Sequence, residues 1–177
     1  MPAPHSAIST DYWLYEYIYN PLASKVCFVD PNIVTIACFL LVIPLMVGLA
    51  TGWPLWLLLL VAFLRQSLDN MDGAIARQCD RKSHLGSILD ISEDGASVFL
   101  LWGLTLWILI HKRSISTGFV ALFTLAGLVA MAHFIHVTWN TIRNVPVHRE
   151  GIVRLGHDNS VVLSLVSIAV LKYLIDY

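Results

Sequence analysis

Residues 69–94 read DNMDGAIARQCDRKSHLGSILDISED, and this acidic and basic stretch lies between long apolar runs. Four of its acids are Asp69, Asp72, Asp90 and Asp94. Ionised groups near hydrocarbon cost about 2.5–3.5 kcal/mol each on insertion scales, so they are rare in membrane helices and usually mark a site. The stretch therefore predicts a functional site at the ends of two membrane helices.

The rest of the chain has the composition of an integral membrane protein. Of its 177 residues 57% are hydrophobic and 13% are charged, whereas an average soluble domain has about 25% charged residues. This length accommodates roughly five or six helices of about 20 residues that cross a bilayer. We expect one membrane domain over residues 1–177, with the bilayer as its environment and no nucleic acid as a partner.

Hydropathy predicts an all-α fold with five spans, preceded by a helix that lies at the membrane surface. The surface helix is expected over residues 11–25, because its Tyr and Trp side chains favour the headgroup level. Asp30 and Pro31 have the residue types of a helix start, and His157, Asp158 and Asn159 are expected to cap the last span. The predicted spans are residues 32–51, 54–77, 85–110, 117–140 and 160–175.

The basic residues outside the spans are distributed unequally between the two sides of the membrane. One side collects Lys25, Arg77, Arg81, Lys82, Arg143, Arg149 and Arg154, and the other holds Lys112, Arg113 and Lys172. The positive-inside rule then predicts that the N-terminus and the acidic stretch face the cytosol.

The three cysteines, Cys27, Cys38 and Cys79, are too few and too scattered to indicate a disulfide framework or a zinc site. We expect them to be free thiols.

Helical periodicity gives each of the two helices in the acidic stretch a single polar face. The first face carries Asp69, Asp72, Gly73, Ala76 and Arg77, and the second carries Gly86, Asp90, Glu93, Asp94 and Ser97. Two antiparallel helices would place these faces opposite each other, where carboxylates repel unless cations lie between them. Hard oxygen ligands favour Mg²⁺ or Mn²⁺, and such ions could hold the phosphates of a nucleotide.

Small residues, an arginine and a glutamate share these two faces with the aspartates. Gly73, Ala76 and Gly86 leave a groove in which a base or a diphosphate could approach the backbone, although small residues also simply let helices pack closely. Arg77 supplies a planar fork that suits phosphate oxygens. Glu93 is expected to play a supporting role or to be solvated.

The pattern DxxDGxxAR, followed after eight residues by GxxxDxxxD, resembles the signature of the class I CDP-alcohol phosphotransferases. Pro31, Asn32 and Thr35 are similar to the PNxxT motif of the same family, and the resemblance covers about the first four spans. It implies a membrane enzyme of phospholipid synthesis that transfers a substituted phosphate from a CDP-alcohol to an alcohol and releases CMP. The family usually has six spans, whereas five are predicted here.

The resemblance also implies a role for each signature residue. Two divalent cations, Mg²⁺ or Mn²⁺, would be held by Asp69, Asp72, Asp90 and Asp94, and Asp94 would also be the general base. The cytidine pocket would be shaped by Gly73, Ala76 and Gly86, and Arg77 would contact the diphosphate.

A second polar face is predicted in the fourth span. His133, His136, Asn140 and Arg143 fall within about 80° of one another around the helix axis. We expect this face to contact the acceptor alcohol, while the alternative is that the histidines bond to neighbouring helices. Arg149, Arg154 and His157 could hold an anionic acceptor or a lipid headgroup, of which we favour the headgroup.

The sequence leaves the substrates and the oligomeric state open. We favour CDP-diacylglycerol with a small polar acceptor, and the alternative is CDP-choline or CDP-ethanolamine with diacylglycerol. QSLD at residues 66–69 is similar to the choline and ethanolamine enzymes, but Ile91 stands where those carry His. A carboxylate-lined cation carrier and an inactive scaffold are rivals from other classes, and a homodimer is one option.

Overall fold

The computed structural model describes residues 10–111, 116–143 and 160–176, and this part of the chain contains helices and no strands. In order, the helices are α1 (Thr10–Leu14), a π-helical turn (Tyr15–Tyr19), α2 (Asn20–Ala23), α3 (Pro31–Leu40), α4 (Val42–Thr51), α5 (Leu55–Gln78), α6 (His84–His111), α7 (Thr117–Ile142) and α8 (Ser160–Asp176). All five predicted spans are found as helices. The largest difference from a predicted boundary is in α7, which ends at Ile142 instead of residue 140.

Three of these helical segments are long and apolar enough to cross a bilayer: Pro31–Thr51, His84–His111 and Thr117–Ile142. The first consists of α3 and α4, which are joined at Leu41. Pro44 lacks an amide hydrogen there and cannot continue the helical hydrogen bonds. The protein is therefore an all-helical integral membrane protein, as predicted.

The first span begins with the predicted cap. Asp30 accepts a hydrogen bond from the backbone N–H of Asn32 at 2.8 Å, and Pro31 occupies the first turn of α3. The cap predicted for the last span, at His157, Asp158 and Asn159, lies outside the described residues, as do Lys112, Arg113, Arg149 and Arg154.

The aromatic segment before the first span is helical and has two different faces. Trp13 and Tyr17 stack at 5.5 Å and are exposed, which suits the headgroup region of a bilayer. On the other face, the Tyr15 hydroxyl donates to Asn70 Oδ1 at 3.0 Å and the Tyr19 hydroxyl donates to Ser67 Oγ at 3.2 Å. These bonds fix the segment against the polar half of α5.

α5 is the central helix of the bundle, because α3, α4 and α8 all pack against it. Its apolar half is buried in a cluster formed by Leu45, Leu49, Leu58, Ala62, Ile168 and Ile175. In the described part of the chain α5 and α6 are not packed closely against each other, and α3 lies against both. The gap between the polar ends of α5 and α6 is where a site can form.

The prediction of free thiols is wrong for two of the three cysteines. Cys27 and Cys79 form a disulfide, whereas Cys38 is free and buried. The loop between α2 and α3 folds back onto the end of α5, and Arg81 Nη1 donates to the carbonyl of Val29 at 3.1 Å. Because the two cysteines are 52 residues apart, only the tertiary fold brings them together.

We expect the disulfide to stabilise the fold, because a cross-link over a long loop reduces the entropy of the unfolded chain. The free energy of unfolding typically rises by about 2–4 kcal/mol. Replacing Cys27 and Cys79 by Ser should lower the free energy of unfolding by that amount in detergent. A reductant should have the same effect on the wild type and no further effect on the double variant. A wild type whose unfolding is insensitive to reductant would contradict this prediction.

Candidate active site

A cavity of about 310 Å³ opens where α3 and α6 begin and α5 ends. The signature residues that line it are Asp72, Gly73, Ala76, Arg77, Gly86 and Asp90. Pro31, Asn32 and Thr35 line it from α3. Residues that are far apart in sequence, from two separate motifs, therefore contribute to one surface.

Asp72 is buried and is tied to the first span. The hydroxyl of Thr35 donates to Asp72 Oδ2, and the same hydroxyl lies 3.1 Å from the carbonyl oxygen of Pro31. Thr35 thus fixes one carboxylate oxygen of Asp72 against α3, so that the side chain does not rotate freely at the edge of the cavity.

Asp69 lies one turn deeper in the membrane than Asp72, and it does not line the described cavity. Its Oδ2 accepts a hydrogen bond from Gln66 Nε2 at 2.6 Å. Its Oδ1 is buried, with no hydrogen-bond partner among the described residues. The negative charges of Asp94, Asp90 and Asp72 all act on it. The positive charge of Arg65 acts in the opposite direction. A buried carboxylate oxygen without a partner is stabilised either by protonation or by a nearby cation.

The bond to Asp69 belongs to a chain of contacts that reaches two distant helices. Gln66 Nε2 lies 3.3 Å from Ser160 Oγ at the start of α8. The Ser160 hydroxyl and backbone N–H both donate to Asp11 Oδ2, at 2.6 and 2.7 Å. Asp11, from α1, therefore caps α8 and helps to orient Gln66 toward Asp69.

Asp94 lies one turn beyond Asp90 on α6, and its side chain is 44% exposed. Arg65 Nη2 approaches Asp94 Oδ1 at 3.5 Å and donates to Glu93 Oε1 at 2.8 Å. Glu93 is buried, and it also accepts a hydrogen bond from Ser97 Oγ at 2.7 Å. Glu93 is thus bonded inside the bundle, so the expectation that it is solvated is wrong, and its supporting role stays a prediction.

Arg77 is held at the mouth of the cavity by Tyr15. Its guanidinium lies 4.9 Å from the centre of the Tyr15 ring, a cation–π arrangement. Burial raises the pKa of Tyr15 to about 12, although the positive charge of Arg77 acts in the opposite direction, so the phenol stays neutral. A Cβ at Gly73 would lie 3.0 Å from Arg77 Nη1. The glycine leaves room for the arginine to lie along α5.

Gly86 makes room between α3 and α6. A Cβ at this position would lie 2.9 Å from Ser83 Oγ and 3.2 Å from Asn32 Oδ1. Ser83 Oγ also accepts a hydrogen bond from the Gly86 N–H at 2.9 Å and so caps α6. The small residue permits both the cap and the approach of the α3 start.

The cavity combines acids with a basic rim. Arg77, Arg81 and Lys82 line it together with Asp72 and Asp90. Acids toward the membrane and cations toward solvent suit a ligand that carries phosphates and binds with a metal ion.

The donor set fits a hard divalent cation better than a soft one. Cys38, Asp69 and Glu93 each place a ligand atom within 4.8 Å of the others. Glu93, however, is already bonded to Arg65 and Ser97, and a thiol is a poor ligand for Mg²⁺ or Mn²⁺. The Asp69 oxygen that lacks a partner is therefore the better candidate for a metal ligand. Among the described residues, no three of the four signature aspartates place ligand atoms within the same 4.8 Å.

The predicted acceptor residues lie elsewhere. His133, His136, Asn140 and Arg143 are on α7, and none of them lines the described cavity. His136 is bonded to Asn140 at 2.9 Å, and the Arg143 guanidinium lies 4.5 Å from the centre of the Trp139 ring. In the described structure these side chains thus contact their own helix.

Three residues that contact the acidic side chains or their partners were not predicted from the sequence: Arg65, Ser160 and Asp11. A signal existed for Arg65, because it precedes Asp69 by four residues and so shares its helix face. Ser160 and Asp11 gave no such signal, since their meeting depends on how α1 and α8 pack.

The fold and the site together define a helical membrane protein with a pocket, lined by acidic and basic side chains, at the end of its bundle. A family model described as CDP-alcohol phosphatidyltransferase matches residues 28–175, and the chain belongs to this family. The family consists of transferases that act on CDP-alcohols in membranes and use a divalent metal. No curated protein and no solved structure gives a significant match to the chain.

The bond from Thr35 to Asp72 should contribute measurably to stability. Thr35→Val removes a hydrogen bond to a buried carboxylate, which is worth about 1.5–3 kcal/mol. Thr105→Val is the matched control, because Thr105 is also buried and its hydroxyl donates, within the described part of the chain, to the carbonyl of Leu101 in its own helix. Unfolding in detergent should show a larger loss for Thr35→Val. Equal losses would mean that the contact to Asp72 contributes nothing.

Proposed function

We propose that this protein transfers a substituted phosphate group from a CDP-alcohol to the hydroxyl of an acceptor alcohol and releases CMP. The observation that carries the proposal is the cavity itself. It gathers Asp72, Gly73, Arg77 and Asp90 with the start of α3, at the end of a membrane bundle.

The nucleotide is proposed to bind across the groove left by the small residues. Gly73, Ala76 and Gly86 would contact the cytidine, and Arg77 would bind the diphosphate. A guanidinium presents paired N–H donors that match phosphate oxygens, and the Tyr15 ring holds Arg77 at the mouth of the cavity. Arg81 and Lys82 add positive charge to the rim.

Asp69, Asp72, Asp90 and Asp94 are proposed to hold two divalent cations, Mg²⁺ or Mn²⁺. When bound, these ions would neutralise the diphosphate and stabilise the charge that develops on the leaving CMP. Two of these carboxylates are oriented by hydrogen bonds, Asp72 by Thr35 and Asp69 by Gln66, and this supports the proposal.

Asp94 is proposed to be the general base. It would accept the proton of the acceptor hydroxyl, whose oxygen forms a new bond to phosphorus while the bond from phosphorus to the CMP oxygen breaks. A base must be both reachable and oriented. The half-exposed side chain of Asp94, held on one side by Arg65, meets both requirements.

A lipid is proposed as one of the two substrates. An apolar cavity of about 220 Å³ lies between α6 and α7. It is lined by Gly95, which follows Asp94 directly, and by Val98, Phe99, Trp102 and Phe134. This cavity suits an acyl chain next to the proposed base, and either CDP-diacylglycerol or diacylglycerol would supply one. We favour CDP-diacylglycerol with a small polar acceptor.

We propose that the whole chain, residues 1–177, forms one domain whose active site and N-terminus face the cytosol. The basic residues at this end, which include Lys25, Arg81 and Lys82, support that orientation. The disulfide between Cys27 and Cys79 argues against it, since disulfides persist mainly in oxidising compartments. Labelling of these cysteines by a membrane-impermeant thiol reagent, before and after reduction, distinguishes the two orientations.

The basic rim disfavours the rival function of a cation carrier. A path for cations would not place Arg77, Arg81 and Lys82 at its entrance, because like charges repel the cargo. An inactive scaffold would keep the fold but would show no CMP release, so an assay separates it from an enzyme.

The experiment is an assay of CMP release by purified protein with Mn²⁺. Labelled CDP-diacylglycerol is offered with glycerol phosphate, inositol, inositol phosphate or serine, and CDP-choline or CDP-ethanolamine is offered with diacylglycerol. Release of CMP with one pair is the expected result. A protein that neither binds CDP nor releases CMP from any of these donors would contradict the proposal.

Two aspartates should respond differently to substitution. Asp94→Asn should abolish turnover and leave appreciable CDP binding, because the base acts mainly in the chemical step. Asp69→Asn should weaken Mn²⁺ and CDP binding together. Glu16→Gln, an exposed carboxylate on the N-terminal segment, is the control and should change neither. Equal loss of binding and turnover in Asp94→Asn would make Asp94 chiefly a metal ligand.

The acceptor role of α7 is a separate proposal. His133→Ala and His136→Ala should raise the KM for the acceptor at unchanged CDP affinity, if α7 contacts the acceptor during turnover. Steady-state kinetics with the acceptor found in the assay would measure this. An unchanged acceptor KM in both variants would assign the histidines to packing within the membrane, in line with the bond from His136 to Asn140.

A further inference from the structure

A buried ion pair crosses the gap between α5 and α6, one layer deeper in the membrane than the cavity. Arg65 Nη2 lies 2.8 and 3.0 Å from the two carboxylate oxygens of Glu93 and 3.5 Å from Asp94 Oδ1. The side chains of Arg65 and Glu93 are 9% and 4% exposed, whereas that of Asp94 is 44% exposed. One guanidinium group therefore joins a buried acid to an accessible one.

Glu93 is itself held from two further sides. Ser97 Oγ donates to Glu93 Oε1 at 2.7 Å, and Cys38 Sγ lies 3.8 Å from the same oxygen. Cys38 Sγ also donates to the backbone carbonyl of Arg65 at 3.3 Å. Three helices, α3, α5 and α6, thus determine where the guanidinium lies, and Arg65 has little freedom to move.

Stability alone gives a weak reason for such a pair. Removing two charges from water costs free energy that the attraction between them often does no more than offset, and apolar side chains of similar size frequently serve as well. Glu93 is a poor candidate for a metal ligand, because Arg65 and Ser97 already bind its carboxylate. Its contact with Asp94 is the feature that distinguishes it from a structural pair.

We propose that Arg65 is a positioning residue that orients the Asp94 carboxylate, and that Glu93 keeps Arg65 from pairing more closely with Asp94. This inference rests on the proposed function, in which Asp94 is the base. Arg65 and Glu93 lie outside the signature pattern, so the inference adds two residues to the site.

The balance between the two acids is central to the proposal. Arg65 contacts Glu93 at hydrogen-bond distance and Asp94 at the longer distance of 3.5 Å. Asp94 is thereby restrained on one oxygen, and no hydrogen bond to its second oxygen is found within residues 10–111, 116–143 and 160–176. Without Glu93, the guanidinium would be free to form a paired, fork-like contact with Asp94, and the base would be occupied.

The test compares variants that remove the charges singly and together. Glu93→Gln should lower kcat, since Arg65 then engages Asp94. The double variant with Arg65→Gln and Glu93→Gln removes both charges and keeps hydrogen-bonding groups of similar size, so it should fold. We expect its kcat to fall at least about tenfold, since small displacements of a catalytic group cost up to about a hundredfold, with unchanged CDP affinity and acceptor KM. The single variant Arg65→Lys keeps the positive charge and should therefore retain more of the wild-type kcat than the double variant.

The matched control is the ion pair between Lys172 and Asp176 on α8. Lys172 is buried and Asp176 is exposed, as Arg65 and Asp94 are buried and partly exposed, and the Nζ–Oδ1 distance is 2.6 Å. Neither residue lines the cavity. The double variant with Lys172→Gln and Asp176→Asn should keep the wild-type kcat. This control separates the loss of an ion pair with a buried cation elsewhere in the bundle from loss of the pair beside Asp94.

The possible outcomes are distinct. A folded charge-free double variant with wild-type kcat would overturn the inference and leave the proposed function standing. A wild type that releases no CMP would overturn the proposed function and the inference with it. If the double variant does not fold, Arg65→Lys and Glu93→Asp decide the matter. If both of these single variants have the wild-type kcat and unfolding midpoint, the positioning role is overturned. A loss of kcat without a change in KM would support it.

Discussion

The organisation of this protein depends on one constraint, which is that every ionised side chain on the polar half of α5 needs a partner inside the bundle. Arg65 finds Glu93, Gln66 binds Asp69, and Asp72 is held by Thr35. In a membrane an unpaired polar group costs several kcal/mol, so each of these contacts selects how the neighbouring helices are placed. The helices around α5 are arranged to meet its polar side chains as well as its leucines.

The sequence predicted much of this arrangement, for reasons that are visible in single residues. The spans follow from apolar runs, and the start of α3 follows from Asp30 and Pro31, whose effect is local. Helical periodicity predicted that the signature residues lie on two helix faces. Six of them, which include Asp72 and Gly86, line one cavity. What the spacing could not show is that α5 and α6 stay apart, because that gap is set by α3 lying against both.

Other features depend on contacts between distant parts of the chain and left no local trace. The disulfide from Cys27 to Cys79 requires the α2–α3 loop to fold onto α5. The predicted polar face of α7 is real as a pattern, but His136 bonds to Asn140 within the same helix. A helical periodicity identifies which residues share a face and does not identify what that face meets.

The chain of contacts from Asp11 through Ser160 and Gln66 to Asp69 has a consequence for how the protein is made. Asp11 belongs to the first described helix and Ser160 to the last, so the support of Asp69 includes a residue that leaves the ribosome late. An incomplete chain would already contain all four signature aspartates and yet hold Asp69 less firmly. The acidic centre therefore reaches its final geometry only after the last described helix has been inserted beside the first.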